Sequence, residues 1–301
     1  MKRRVLLSGA SGMLGKSLAA LLAERGAETL RLVRRAPEAP DERRWDPERG
    51  ELDPGALDGV SDVVHLSGEP VAERRWTDER KRRIVDSRTA STGALVRAIE
   101  ARSDRPRAFV QASAIGFYGT AAHAPVDEGA PRGEGFLAEV VDAWEQAGAP
   151  VERLGVRWVA MRIGVALSPE GGALGKLLPI FRLGAGGPVG DGRQMLSWVT
   201  DLDVARAFLF AIEHESLRGP VNVVAPEPVD NATFSRALGR ALGRPAIMRV
   251  PALAIRAVFG EMGVETVLAS QNVVPNKLLH AGFTFTHPSL AGALSALLAQ
   301  G

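Results

Sequence analysis

At 301 residues and 46% hydrophobic content the chain can bury a full core, in one large domain or two coupled ones. Its 37 basic and 35 acidic residues nearly cancel, so a pI near 9.3 reflects arginine abundance, and nothing in the charge argues for nucleic acid. The absence of cysteine excludes disulfides, thiolate zinc sites and a cysteine nucleophile, and His65, His123, His214, His280 and His287 show no metal-ligand spacing.

The N-terminal M-K-R-R has the charge of a signal-peptide start, but Gly9, Ser11 and Gly12 interrupt the apolar run too early. No stretch approaches the ~18–20 apolar residues of a membrane span. These features predict a cytoplasmic protein with a small-molecule substrate, no nucleic-acid or membrane partner, and an oligomeric state left open.

Val5, Leu6 and Leu7 read as a buried first strand, and Leu14, Leu18, Leu21 and Leu22 recur at helical spacing up to Gly26. Between them lies G-A-S-G-M-L-G (Gly9 to Gly15), a glycine series on a strand-to-helix turn, the context in which this pattern signals a dinucleotide site. Gly9 permits the tight turn, Gly12 lets backbone approach a pyrophosphate, and Gly15 allows close helix packing. Ser11, Met13 and Leu14 complete the turn, whose unpaired N–H groups and helix dipole suit phosphates.

Thr29–Val33 reads as the second strand and ends in Arg34 and Arg35. An acidic residue there would accept from the ribose hydroxyls of NAD. Guanidinium suits the 2′-phosphate of NADP, and the expected cofactor is NADP. Arg43 and Arg44 read as part of a basic loop, and Arg74–Arg83 as a solvated helix face.

Ser61–Ser67 is the next strand, Trp76–Ile99 a long helix, and Ala108–Ser113 and Trp158–Val165 two further strands. Helix-length segments between strands imply right-handed crossovers and a parallel sheet. The fold class is therefore α/β, a Rossmann-type doubly wound parallel sheet with a smaller, mostly helical C-terminal cap. Residues 1–165 with 200–225 form the expected cofactor domain, and 166–199 with 226–301 the cap. The ligand is expected at the carboxyl ends of the strands, between sheet and cap.

With these pieces the chain resembles an extended short-chain dehydrogenase/reductase. G-A-S-G-M-L-G is similar to that superfamily's G-x-x-G-x-x-G, and H-L-S-G (His65 to Gly68) to its N/H-x-A-G segment. A-S-A-I-G-F-Y-G (Ala112 to Gly119) resembles S-S-x-x-V-Y-G, and V-D-E-G-A-P (Val126 to Pro131) resembles E-x-x-P. More closely, the chain resembles an epimerase-like family named for nucleoside-diphosphate-sugar epimerases, with a human member that is an atypical NADP-binding dehydrogenase. That likeness runs through Arg75-Trp76, Asp86 to Arg88, Arg162 to Val165, Gly184 to Trp198, Asn231 to Phe234, Ala241 to Pro245 and Leu278 to Phe283.

The resemblance implies that Leu66, Ser67 and Gly68 pass beside the adenosine or ribose, that Arg88 reaches toward the phosphates, and that Val165 flanks the nicotinamide. It also locates a departure. Conventional members use a tyrosine and, four residues later, a lysine that depresses its pKa. The matching positions here are Phe136 and Val140. Ala114 takes the catalytic serine slot, with Ser113 one residue early. Thr200 stands where relatives carry a histidine three residues before Asp203, which is expected to N-cap a helix over Asp203–Ile212. Trp198 reads equally as a substrate-pocket wall or as core.

Two readings stay open. An NADP-dependent enzyme could use other acid/base groups: Tyr118, the only tyrosine, is the favoured candidate, followed by Glu69, with Ser113 beside them. Alternatively, the chain binds NADP(H) without turnover, as a redox sensor or scaffold.

Overall fold

Hydrophobic alternation builds the centre of this molecule, a computed structural model that describes residues 3–299. β1 (Arg4–Ser8) sends Val5 and Leu7 into the core on one face and Leu6 into the core on the other. α1 (Met13–Glu24), β2 (Glu28–Val33), β3 (Glu42–Asp46), β4 (Glu51–Leu52) and β5 (Asp62–His65) follow. Next come α2 (Asp78–Glu100), β6 (Ala108–Ala114), β7 (Ala121–Val126), α3 (Phe136–Gly148) and β8 (Arg157–Ile163). The second half contributes β9 (Val165–Ser168), α4 (Gly172–Arg182), β10 (Met195–Leu196), β11 (Trp198–Thr200), α5 (Asp201–Glu213) and β12 (Gly219–Val223). It closes with β13 (Val229–Asp230), α6 (Asn231–Ala241), α7 (Ala252–Thr266), β14 (Ser270–Val273), α8 (Asn276–His280) and α9 (Leu290–Leu298).

Eight strands form the main sheet in the order β12-β8-β6-β5-β1-β2-β3-β4, parallel throughout except for the β3–β4 pair at one edge. α1 and α5 cover one face around Leu18, Leu22, Val204 and Phe208, while α2 supplies Leu95 and Ile99 to the other. The chain is a mixed α/β protein with a Rossmann-like sheet and a helical C-terminal region. Strand order reverses between β1 and β5, and the crevice beyond their carboxyl ends is where such sheets receive a nucleotide.

Several elements differ from the sequence expectation. Residues 42–46 form a strand beside β2 rather than a loop, because Glu42 and Trp45 turn inward while Arg43 and Arg44 lie at the surface side. The long helix starts at Asp78, where Thr77 caps it by accepting from the Arg80 N–H at 3.1 Å. Arg74 and Arg75 therefore precede it, and the face after them is not simply solvated: Arg80 pairs with Glu69 and Lys81 with Glu261. Thr200, not Asp203, caps α5 by accepting from the Asp203 N–H at 3.2 Å. The buried Asp203 carboxylate instead accepts from the Thr286 and His287 N–H groups at 2.8 and 2.9 Å, anchoring that distant segment. Trp198 is core: it packs with Leu167, Leu174 and Phe234, and its ring N–H donates to the Glu227 carbonyl at 3.1 Å. Among the described residues no helix is long and apolar enough to cross a membrane.

Candidate functional site

The three glycines of the first turn are glycine for different reasons. Gly9 has φ +71°, and a Cβ there would press on the Leu66 backbone at 3.0 Å. A Cβ on Gly15 would overlap the Gly9 carbonyl oxygen. Both are demanded by the fold. Gly12 is exposed, has φ −73°, and a Cβ there would meet nothing closer than the Gly9 oxygen at 3.4 Å. The fold tolerates a side chain at 12; a ligand lying against the turn would not. α1 also lacks a capping side chain and any acid in its first turn, so the N–H groups of Met13, Leu14 and Gly15 keep their positive field for an anion. Ser11 is exposed at the rim of the same turn.

The neighbouring strand end is fixed by a buried histidine. The Ser91 hydroxyl donates to the Ser87 carbonyl at 2.6 Å, so it accepts from His65 Nε2 at 3.2 Å. At the other side of the ring, Ser8 Oγ accepts from the Leu66 and Ser67 N–H groups at 3.1 and 3.4 Å and donates to His65 Nδ1 at 2.7 Å. Both ends require the same neutral tautomer. Burial, with the Arg88 charge nearby, holds the imidazole pKa down at about 3. The chain thereby brings Leu66 and Ser67 against Gly9, as the glycine turn requires of a nucleotide crevice. A Cβ on Gly68 would press on the Arg88 guanidinium at 3.2 Å, so that residue too is small for close approach. Arg88 donates to the Ile84 carbonyl at 3.0 Å and lies over the Trp144 ring at 5.0 Å. It forms no ion pair among the described residues. Burial lowers its pKa to about 10, which leaves it cationic at neutral pH, with donors to spare.

At the tip of β2 the two arginines divide. Arg35 donates from both terminal nitrogens to Glu42 at 2.8 Å, and these bonds hold the Glu42 carboxyl at about 2. Arg34 is exposed and makes no side-chain hydrogen bond or ion pair among the described residues. The two arginines of the expected phosphate site thus differ in their surroundings, Arg35 being paired with a carboxylate and Arg34 having no such partner among the described residues.

Each acid/base candidate is engaged within the protein, although Glu69 is held through Oε1 alone. The Tyr118 hydroxyl donates to Asn222 Oδ1 at 2.7 Å and accepts from Arg162 Nη1 at 3.0 Å. Its burial, only partly offset by Arg162 and Asn222, raises the phenol pKa further from neutrality. Ser113 donates to Glu145 at 2.6 Å, and Arg162 clamps the same carboxylate at 2.8 and 2.7 Å. Glu69 is held by Arg80, with Arg83 at 3.6 Å. Val165 begins β9 and pairs with Trp198, two residues beyond the end of the main-sheet strand β8. Phe136 and Val140 pack with Trp76, Ile84 and Met262.

Ser113, Arg162 and Asn222 sit in one register row across β6, β8 and β12, and Glu145 meets them from α3. Sequence reasoning missed this network, although an arginine inside the apolar run W-V-A-M-R-I was a signal for a paired buried charge. It also missed Glu265 of α7, which accepts from the Phe136 and Leu137 N–H groups at 2.9 and 2.8 Å and so caps α3.

Residues 5–224 match the model of the NAD dependent epimerase/dehydratase family. The chain belongs to that family. Residues 250–297 match a second model, described as a domain of unknown function. Among epimerase-family relatives, the protein Mb2239 of Mycobacterium bovis is 43% identical over 291 residues, 96% of each chain. Human SDR39U1 is 36% identical over 299 residues, covering 98% of this chain and all of the human one. The crystal structure of human SDR39U1 with NADPH superposes with a TM-score of 0.89 at 34% identity, covering 98% of this chain and 99% of that one. This epimerase-family chain is thus an atypical member of the extended short-chain dehydrogenase/reductase type.

Proposed function

We propose that this epimerase-family chain binds NADP(H) and acts on a small-molecule substrate held between sheet and cap. In this reading residues 1–165 with 200–225 carry the cofactor, and 166–199 with 226–301 form the cap. The observation that carries it is Gly12: the fold does not need glycine there, and a nucleotide's pyrophosphate does. Ser11, Met13, Leu14 and Gly15 surround that phosphate position, with Gly9 making the turn. Arg34 takes the 2′-phosphate, Arg88 faces the phosphates, Leu66, Ser67 and Gly68 border the ribose, and Val165 lies toward the nicotinamide. The NADPH of the similar human protein supports the choice of cofactor. When bound, that cofactor would supply hydride chemistry; the chain's own part is binding and orientation.

A second reading is favoured by the saturated hydroxyls: an NADP(H)-binding sensor or scaffold that turns nothing over. Tyr118, Ser113 and Glu69 are each engaged within the protein, and Phe136 and Val140 have no proton to exchange. Fluorescence titration with NADPH and NADH tests the shared binding claim, and equal affinity for the two would overturn it. NADPH consumption across carbonyl and sugar-nucleotide panels then separates the readings, since any turnover removes the second.

A further inference from the structure

Charge is distributed unevenly along this chain. Residues 171–190 and 231–260 contain seven basic side chains and no acidic one, while the rest has 30 basic and 35 acidic. The two segments meet in space. Met248 N–H donates to the Gly186 carbonyl at 3.2 Å, Val250 N–H to Pro188 at 3.1 Å, and Gly190 N–H to Val250 at 2.8 Å. Arg182, Arg240, Arg244, Arg249 and Arg256 are all exposed there, and none forms an ion pair among the described residues.

Apolar side chains gather on the same region. Of the nine large hydrophobic residues exposed among the described ones, seven fall in these two segments, including Ile180, Met248 and Phe259. Leu183, Ile247 and Leu253 are 85%, 78% and 77% exposed. Side chains that open stand proud of the surface; they do not line a groove. A concentration of this kind on one surface marks an interaction site.

We propose that this face of the cap binds the surface of an anionic lipid bilayer, with the apolar side chains in the headgroup–acyl boundary and the arginines at lipid phosphates. The charge pattern decides between occupants. Glu170, Asp191, Asp230 and Glu261 border the two segments against their seven basic residues, so the face keeps a basic excess. A second copy docking through it would set one net-positive surface against another. The hollow beside Arg240, between α6 and α9, is not lined by the exposed apolar side chains, so a peptide seated there would leave them uncovered. A bilayer offers a soft apolar layer bordered by negative charge, matching both features, and an interfacial contact requires no spanning helix.

The test is co-sedimentation of the full chain with vesicles of phosphatidylcholine alone or with about 30% phosphatidylglycerol, at low and high salt. Binding is expected on the anionic vesicles, weakening at least about ten-fold on neutral ones or at high salt. Arg249→Gln and Arg256→Gln should each weaken it about five-fold, as expected for one cation near such a surface. Ile247→Glu with Leu253→Glu should abolish it, with the melting temperature unchanged as the control for folding. Absence of wild-type binding to anionic vesicles overturns the proposal, as does unchanged binding by these variants. A dimer that Leu253→Glu dissociates, or capture on immobilised polyglutamate without vesicle binding, assigns the face to a second copy or an acidic protein instead.

Discussion

Arg35 and Glu42 close on each other through two hydrogen bonds of 2.8 Å, and Glu42 also accepts from the Glu38 N–H at 2.8 Å. The pair folds the segment after β2 back onto β3 and leaves Arg34 as the unengaged cation at the tip. The two adjacent arginines therefore differ in engagement among the described residues, and a ligand at this tip would meet Arg34 first.

Arg34→Ala should lower NADPH affinity about ten- to hundred-fold, the range for lost charge-assisted bonds to phosphate, and leave NADH affinity unchanged. Arg35→Ala should act mainly on the loop and change NADPH affinity only a few-fold. Glu42→Gln, which releases Arg35 beside Arg34, should raise it. Parallel titrations with both cofactors check this, and equal losses for NADPH and NADH in Arg34→Ala would remove the 2′-phosphate from this tip.

Gly12 and Gly15 make a paired test of fold against ligand. Gly15→Ala should prevent folding or lower stability severely, because its methyl would overlap the Gly9 carbonyl. Gly12→Val has an allowed backbone and open surroundings, so it should fold with a near-normal melting temperature and fail to bind NADPH. A folded Gly12→Val protein with normal NADPH affinity would show that the nucleotide does not lie over this turn.

Local signals carried far in this sequence, and spatial pairing did not. The strand-turn-helix around Gly9–Gly15 was legible because the apolar run, the glycines and the leucine spacing agree within a short stretch of chain. β3 escaped because Arg43 and Arg44 stand together between inward Glu42 and Trp45, which breaks the period of two. The partner of Tyr118 could not be read from the sequence because Asn222 lies 104 residues away. Arg162 and Glu145 belong to a strand and a helix whose contact only the folded sheet creates. Sequence identified which residues are chemically capable, while the engaged or free state of each depended on tertiary neighbours.

Tyr118→Phe follows from that network. Removing the hydroxyl leaves Asn222 Oδ1 without its donor and deprives Arg162 of an acceptor, so denaturant unfolding should show a loss of about 1–3 kcal/mol. NADPH affinity should hold. Where a substrate is found, kcat should change by no more than a few-fold. A drop of roughly 10²–10⁴ in kcat at unchanged stability, the share of a general acid, would return Tyr118 to the chemistry.

His65 gives the molecule an acid-side weakness whose sign is fixed by the network around it. Its folded pKa of about 3 lies below the ordinary 6.5, so above pH 6.5 the imidazole is neutral in both states and stability is unaffected. As pH falls from 6.5 toward 3, the unfolded chain takes up a proton that the folded one refuses. Stability should then decline by up to about 1.4 kcal/mol per pH unit from this group alone. Protonation at Nδ1 would also set an N–H against the Ser8 hydroxyl proton, releasing the Leu66–Ser67 backbone from its anchor beside Gly9. His65→Gln removes the titration at the cost of the hydrogen bonds, so it should be less stable than wild type at about pH 7 but lose less between about pH 7 and pH 4.5. Unfolding curves for both proteins at several pH values supply the comparison. Parallel decline of the two would mean that His65 does not carry the acid sensitivity, and would place it on the carboxylates instead.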